Sequence, residues 1–297
     1  MTRTMYILLR LLGVLVIVAY LVMQKPGERN SSGDTGEVLV SIDSLAVDGI
    51  EIKSQAGIVI LQKKGVEWFV QEPVSYKADQ SNVATLIHSS KRLEVKNIVS
   101  NKPEKHSIFQ VDSAGTSVRM LERGAEKASF ILGKSGSSYV ETYARRTASS
   151  DVVLVTGASA YLFNRPVKDW RDKTIITIPR ENIKEVRYQY GDTTFVLAFK
   201  DSAWTIGKDS TQEGIVGNLI SSLSNVQADD FVDTLTTRSS KPTAQISLAG
   251  TQLTFFYVKV GEKYLVQCSA SPQLFEMQNW HASQILLRKK DILKSGK

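Results

Sequence analysis

Gly65-Val66-Glu67-Trp68-Phe69-Val70 runs into a polar break and then into an amphipathic stretch that opens at Asp79. Half a chain later Asp201-Ser202-Ala203-Trp204-Thr205-Ile206 does the same, and a second amphipathic stretch opens near Ser210. Each cassette reads as a turn, a short strand carrying a tryptophan, a break and a helix. Two cassettes in 297 residues predict two domains of one build, and the length fits two domains of ~100 to 200 residues. Burying a tryptophan removes ~150 to 250 Å² from water, an upper bound of about 4 to 6 kcal/mol. Trp68 and Trp204 are therefore expected to be equivalent core anchors rather than ligand platforms.

Short alternating runs surround each tryptophan. Val38 to Ile42, Ile50 to Ile52 and Ile58 to Leu61 precede Trp68, with Gly57 and Gly65 as turns. Asp79 is placed to cap a helix whose apolar stripe is Val83, Leu86, Ile87 and Leu93. Ser117 to Leu121, Ala128 to Leu132, Tyr139 to Tyr143 and Val152 to Val155 read as an antiparallel meander. A short helix, Ala158 to Phe163, Asp169 to Lys173 and a strand, Thr174 to Ile178, close the first repeat. In the second, Val186 to Tyr190 pairs with Thr194 to Phe199 across Gly191-Asp192. Ser210 is expected to cap a helix with Ile215, Val216, Leu219, Ile220 and Leu223 on one face. Gln245 to Leu248, Gln252 to Val260 and Tyr264 to Cys268 form the second meander, and Phe275 to His281 is expected to be a short helix or turn.

The expected fold class is thus α+β: two similar domains, each an antiparallel β meander with one main helix, after an N-terminal transmembrane helix. The expected boundaries are an anchor at 1–23, a tether at 24–37, a first repeat at 38–180 and a second at 181–297. Met5 to Met23 is apolar except for Arg10, which lies near enough to one end to snorkel. About 18 to 19 such residues approach the ~20 that span a bilayer. A cleaved signal peptide competes, but Ala19 to Gln24 offers no small-x-small site and no cysteine follows for lipidation. Gln24 to Glu37 has the Pro/Gly/Ser composition of a flexible tether. A first apolar segment followed by a large domain favours export of that domain, which places the bulk of the chain in the periplasm.

Composition excludes several classes. The formal charge of +7 is spread along the chain, its longest basic block being Arg288-Lys289-Lys290, so no nucleic-acid groove is expected. One cysteine, Cys268, rules out an internal disulfide and multi-cysteine zinc sites. Ala128 to Ser135 fits A-x-x-x-x-G-K-S, yet its middle is a strand and no helix follows, so it reads as a hairpin turn rather than a phosphate loop. The three histidines, His88, His106 and His281, are far apart in sequence. Asp229-Asp230, Asp172 and Asp291 supply carboxylates without a partner set, and no catalytic motif, metal or cofactor is expected. Leu287-Arg288-Lys289-Lys290-Asp291-Ile292 echoes Trp170-Arg171-Asp172-Lys173-Thr174-Ile175, which makes Arg171, Asp172 and Arg288 candidate interaction or structural residues. The arginines are expected to clamp turns.

The order of features carries a resemblance. A strand ending in Trp68 with Gln71-Glu72-Pro73, Ala78-Asp79 opening a helix, Leu132-Gly133-Lys134, Tyr139-Val140 and Trp170-Arg171-Asp172-Lys173 together resemble the domain-of-unknown-function family 4340, over roughly residues 38–235. The Gly-Leu-Asp-x-Pro element of that family is replaced here by Ile108-Phe109-Gln110-Val111-Asp112. The resemblance implies a bacterial membrane-anchored extracytoplasmic protein, of a kind often encoded beside gliding-type ABC transporter components, with no established activity. The expected function is a non-catalytic accessory or scaffold of an ABC-type transport or gliding-type envelope complex in the inner membrane. The alternatives are an envelope hydrolase or glycan-binding protein with its site between the two domains, or an assembly factor with only protein partners.

Overall fold

The computed structural model describes residues 13–14, 36–138, 140–157, 160–191, 193–233 and 241–294. The anchor and tether expected at 1–37 fall almost wholly outside the described residues, as do Tyr139, Ala158 and Asp192 from the expected elements. Among the described residues no helix is long and apolar enough to cross a membrane. The chain divides into two compact units, Met1–Arg171 and Asp172–Lys297.

Unit 1 is one antiparallel sheet. Its strands are β1 (Val38–Ser41), β2 (Val47–Ser54), β3 (Gly57–Lys64), β4 (Glu67–Glu72), β5 (Tyr76–Lys77), β6 (Arg92–Ser100), β7 (Thr116–Glu122), β8 (Ala125–Ser135), β9 (Glu141–Arg146) and β10 (Val152–Thr156). They lie in the order β1-β6-β10-β9-β8-β7-β2-β3-β4-β5. Alternation explains the two faces: Ile50 and Ile52 of β2 are buried, while Glu51 between them faces outward to the Arg119 guanidinium at 2.6 Å. Helix α1 (Gln80–Ser90) closes the buried face with Val83, Leu86 and Ile87. Asp79 caps it as expected, its Oδ1 accepting the Asn82 N–H at 2.9 Å. Leu93 is buried as expected, but from β6, because the helix stops at Ser90.

Two glycines let a loop lie against this sheet. Helix α2 (His106–Phe109) ends at Gln110, a left-handed residue with φ of 56°. A Cβ on Gly133 would come within 2.1 Å of the Phe109 carbonyl oxygen, and one on Gly115 within 2.3 Å of that of Gln110. The Gly133-Lys134-Ser135 segment is therefore not the expected hairpin turn. It is strand β8, kept bare so that another stretch of backbone can approach. Val111 then packs on Ile131 and Val152, and Arg145 holds the Val111 carbonyl through Nε at 3.0 Å.

Unit 2 repeats the plan. It comprises β11 (Thr174–Thr177), β12 (Glu185–Tyr190), β13 (Thr193–Lys200), β14 (Ala203–Ile206), β15 (Asp209–Ser210), β16 (Asn225–Gln227), β17 (Asp230–Val232), β18 (Ala244–Leu248), β19 (Thr251–Val258), β20 (Lys263–Cys268) and β21 (Leu274–Gln278). The main sheet runs β15-β14-β13-β12-β18-β19-β20-β21-β17, with β11 and β16 paired apart. Register coincides between the units. Ile52 faces Val59 and Lys63 faces Trp68; Tyr188 faces Phe195 and Phe199 faces Trp204. Between β7 and β8 Val118 faces Phe130, as Ile246 faces Leu253 between β18 and β19.

The same correspondence relocates the start of the second repeat. Val38 and Val40 face Glu94 and Leu93 across a register shift, and Thr174 and Ile176 face Gln227 and Val226 across the same shift. The flanking bonds match as well: Val95 N–H to Glu37 O at 2.9 Å, Ala228 N–H to Lys173 O at 2.8 Å. The Thr174 strand thus opens the second copy instead of closing the first, and the boundary falls at Arg171/Asp172 rather than at residue 180. Helix α4 takes its number after the short α3 (Ala160–Phe163) of unit 1; it spans Glu213–Ser224 and buries Val216, Leu219, Ile220 and Leu223. Its N-cap is Gln212, not the expected Ser210, which is taken up in β15. Phe275 to His281 is also mostly strand, because Phe275 and Met277 alternate into the core before α5 (Asn279–Ala282) begins.

Trp68 is 7% exposed, whereas Trp204, in the equivalent place, is only partly buried against the unit 2 core and tilts on Phe199 at 5.4 Å. Urea melts should show Trp68→Ala losing about 3 to 5 kcal/mol and Trp204→Ala roughly half of that; equal losses would contradict the difference in packing. Gly133→Ala should cost about 1 to 3 kcal/mol. Hydrogen exchange would place that loss at residues 106–111, and unchanged protection of the Val111 amide would refute the close-approach argument.

Candidate functional site

In unit 1 the beginning of α1, the tryptophan strand and the end of the unit are tied together by backbone. Gln80 spans β4: its Oε1 accepts the Trp68 N–H at 2.8 Å, and its Nε2 donates to the carbonyls of Trp68 at 3.0 Å and Ala78 at 2.7 Å. The Ala78 N–H donates to Trp68 O at 2.9 Å, and the Asp79 N–H to Trp170 O at 2.8 Å. Asn82 extends the tie by donating to Asp169 O at 2.8 Å and accepting from the Arg165 guanidinium at 2.6 Å. Ala78 and Arg171 form an isolated antiparallel bridge. Trp68 and Arg171, two of the residues singled out by sequence, are therefore members of one structural collar.

Arg171 is 2% exposed and lays its guanidinium 4.5 Å from the centre of the Tyr76 ring. Asp172 turns the chain into β11, its Oδ1 accepting the Thr174 N–H at 3.0 Å. Unit 2 has the same collar from different side chains. The Gln212 N–H donates to Ile292 O at 2.9 Å, and Thr211 bridges to Leu293. Thr211 Oγ1 donates to Trp204 O at 2.8 Å, and Gln212 Nε2 to Leu293 O at 2.8 Å.

These bonds correct the expected echo between the two unit ends. The Asp169 N–H donates to Pro166 O at 3.0 Å just as the Asp291 N–H donates to Arg288 O at 3.0 Å. Arg171 therefore corresponds to Leu293, Asp172 to Lys294 and Arg288 to Pro166. The apparent match of Arg171 with Arg288 came from similar residue types five positions out of register. Arg288 nevertheless also covers a tyrosine, with its guanidinium 3.8 Å from the Tyr190 ring centre, just before the short helix α6 (Lys289–Ile292). The Tyr190 hydroxyl donates to Leu287 O at 2.8 Å, and burial pushes its pKa far above the ordinary phenol value against the opposing pull of Arg288.

The structure also assembles a polar group that sequence spacing concealed. His281 Nδ1 lies 3.2 Å from Asp229 Oδ2, which accepts the Gln278 N–H at 2.7 Å. The imidazole is stacked by Trp280, 63% exposed, at 5.1 Å and 16°. Lys263 and Glu276 pair at 2.5 Å on the neighbouring strands. A backbone-anchored carboxylate orienting an imidazole is a general acid–base arrangement in form. The pairing of β17 with β21 brings its members together, so only knowledge of that pairing could have found it. His106 instead bonds the Ser150 carbonyl at 2.8 Å, His88 is exposed, and Cys268 is a buried core residue facing Leu253. Among the described residues no three or more His, Cys, Asp or Glu side chains gather as a metal site.

Because the Arg171 stem and guanidinium are packed on Tyr76, Arg171→Ala should lower unfolding stability by about 2 to 4 kcal/mol in denaturant melts. Arg171→Leu, which installs the residue unit 2 carries, should cost less; a larger loss for leucine than for alanine would contradict the correspondence.

The family model described as Domain of unknown function (DUF4340) matches residues 68–247. No curated protein and no solved structure matches the chain. The match runs from the Trp68 strand through the collar of unit 1 and into β18 of unit 2. With more than half of its length so matched, the chain belongs to the DUF4340 family.

Proposed function

We propose that the chain is a single-pass, membrane-anchored extracytoplasmic accessory or scaffold protein of an ABC-type transport or gliding-type envelope complex. The carrying observation is the duplication: two antiparallel sheets in matching register, each braced by one helix through its own collar. Such a build supports extended surfaces on rigid cores, which suits protein partners. The apolar stretch Met5 to Met23 and the polar Gln24 to Glu37 supply an anchor and a tether to hold those surfaces near the bilayer. An envelope hydrolase is the second reading, and the Asp229–His281 pair with its exposed Trp280 favours it.

Crosslinking in intact membranes followed by identification of partners separates these readings. Recovery of transporter subunits is expected, and recovery of envelope glycan without protein would overturn the scaffold reading. Purified full-length protein that hydrolysed an envelope substrate, with activity lost in Asp229→Asn, would establish the second reading instead. A reporter fused at Lys297 tests orientation: an export-dependent reporter should be active, and activity of a cytoplasm-only reporter would reject the extracytoplasmic assignment.

A further inference from the structure

A cleft of about 190 Å³ opens in unit 1 between the β2–β3 turn, the Gln110 loop and α3. Among its lining residues are Gln55, Gln110, Thr116, Asn164 and Tyr161, the last 75% exposed. Charged residues make up 23% of the chain, yet among the described residues none lines this cleft, which suits a neutral ligand. Amide side chains each present donors and an acceptor, the combination that matches hydroxyl groups able to do both. An exposed phenol ring beside them offers a flat apolar face with a polar tip. The volume equals that of about six waters in the liquid and fits a single sugar ring.

The duplication serves as an internal control on these residues. Gln55 opens the turn that Gly191 opens in unit 2, and Thr116 corresponds to Ala244. The Asn164 N–H donates to Ala160 O at 3.1 Å as the Leu286 N–H donates to Ala282 O at 2.8 Å, so Tyr161 and Asn164 correspond to Ser283 and Leu286. The same local backbone thus forms with small or apolar residues at these places. Folding does not demand the polar and aromatic groups that unit 1 carries there. The backbone that carries Gln110 is held in position, because Gly115 and Gly133 admit the loop and Arg145 fastens the Val111 carbonyl. A loop whose backbone is already ordered adds little entropy cost on binding beyond that of its side chains.

We propose that this cleft binds a neutral pyranose ring, with Tyr161 stacking on the ring face and Gln55, Gln110 and Asn164 bonding its hydroxyls. The assignment depends on neither reading of the overall function, since a scaffold could use such a site to hold the chain against envelope glycan. The test uses the full chain in lipid nanodiscs, avoiding glycoside detergents, and saturation-transfer NMR with two probes, an N-acetylglucosamine trimer and maltotriose. Transfer to either sugar is expected; preference for the first points to a wall glycan and for the second to a neutral hexose chain. Tyr161→Ala and Asn164→Leu should each weaken binding by about tenfold or more, with unchanged melting, while Ser283→Ala leaves it intact. Absence of transfer from both sugars, or unaltered affinity in both unit 1 variants, would overturn the proposal.

Discussion

Each unit depends on one backbone hydrogen bond that joins places far apart in its sequence: Asp79 N–H to Trp170 O in the first, Gln212 N–H to Ile292 O in the second. The first amides of a helix have no acceptor within the helix and must find one elsewhere. Here the residue before each helix takes a carbonyl from the last segment of its unit. That choice fixes where the segment lies, and with it where Trp170 or Ile292 enters the core. The neighbouring bridge, Ala78 with Arg171 or Thr211 with Leu293, extends the same alignment by one residue. Side chains then reinforce it by different chemistry, Gln80 and Asn82 in one copy and Thr211 and Gln212 in the other.

The two cores fill one framework with exchanged sizes. Where unit 1 has Ile52, Val59 and Phe163, unit 2 has Tyr188, Phe195 and Ile285. Large rings have moved from the segment covering the sheet onto the sheet itself. In unit 1 Phe163 meets Phe130 edge-on at 6.2 Å; in unit 2 Tyr188 stacks on Phe195 at 4.8 Å and its hydroxyl donates to Ile285 O at 3.0 Å. Packed interiors tolerate such exchanges when total volume is conserved. The hydroxyls of Tyr188 and Tyr190 also need acceptors once buried, and carbonyls of residues 285 and 287 supply them.

That exchange explains what sequence could and could not reveal. Alternation at Ile50 and Ile52 and the stripe at Val216, Leu219, Ile220 and Leu223 are local patterns, and both elements were legible. The duplication was legible through Trp68 and Trp204, whose neighbouring turns keep their spacing. The echo at the unit ends misaligns because basic and acidic residues recur on both sides of the true register, in which Trp170 and Ile292 share only their apolar burial and Arg171 and Leu293 share nothing. The strand at Thr174 is legible as a strand but not as the first of its copy, since ownership of a strand is settled by its partner and not by its own residues. Gly133 suggested a turn because glycine usually marks one; its reason is the Phe109 carbonyl, which arrives from elsewhere in the chain. Asp229 and His281, likewise, become neighbours only through the pairing of β17 with β21.

The irregular pairing of the first strand with its partner occurs at Val38/Val40 and again at Thr174/Ile176. An interruption in a ladder is not demanded by alternation and is not required twice by two unrelated sets of side chains. Its recurrence at matching positions indicates inheritance from a single ancestral domain whose gene was copied in tandem. The kink was therefore present before the copies parted. Afterwards part of the core drifted, Ile52, Val59 and Phe163 standing against Tyr188, Phe195 and Ile285, while Val83, Leu86 and Ile87 of α1 recur as Val216, Leu219 and Ile220 of α4 and the path of the backbone held throughout.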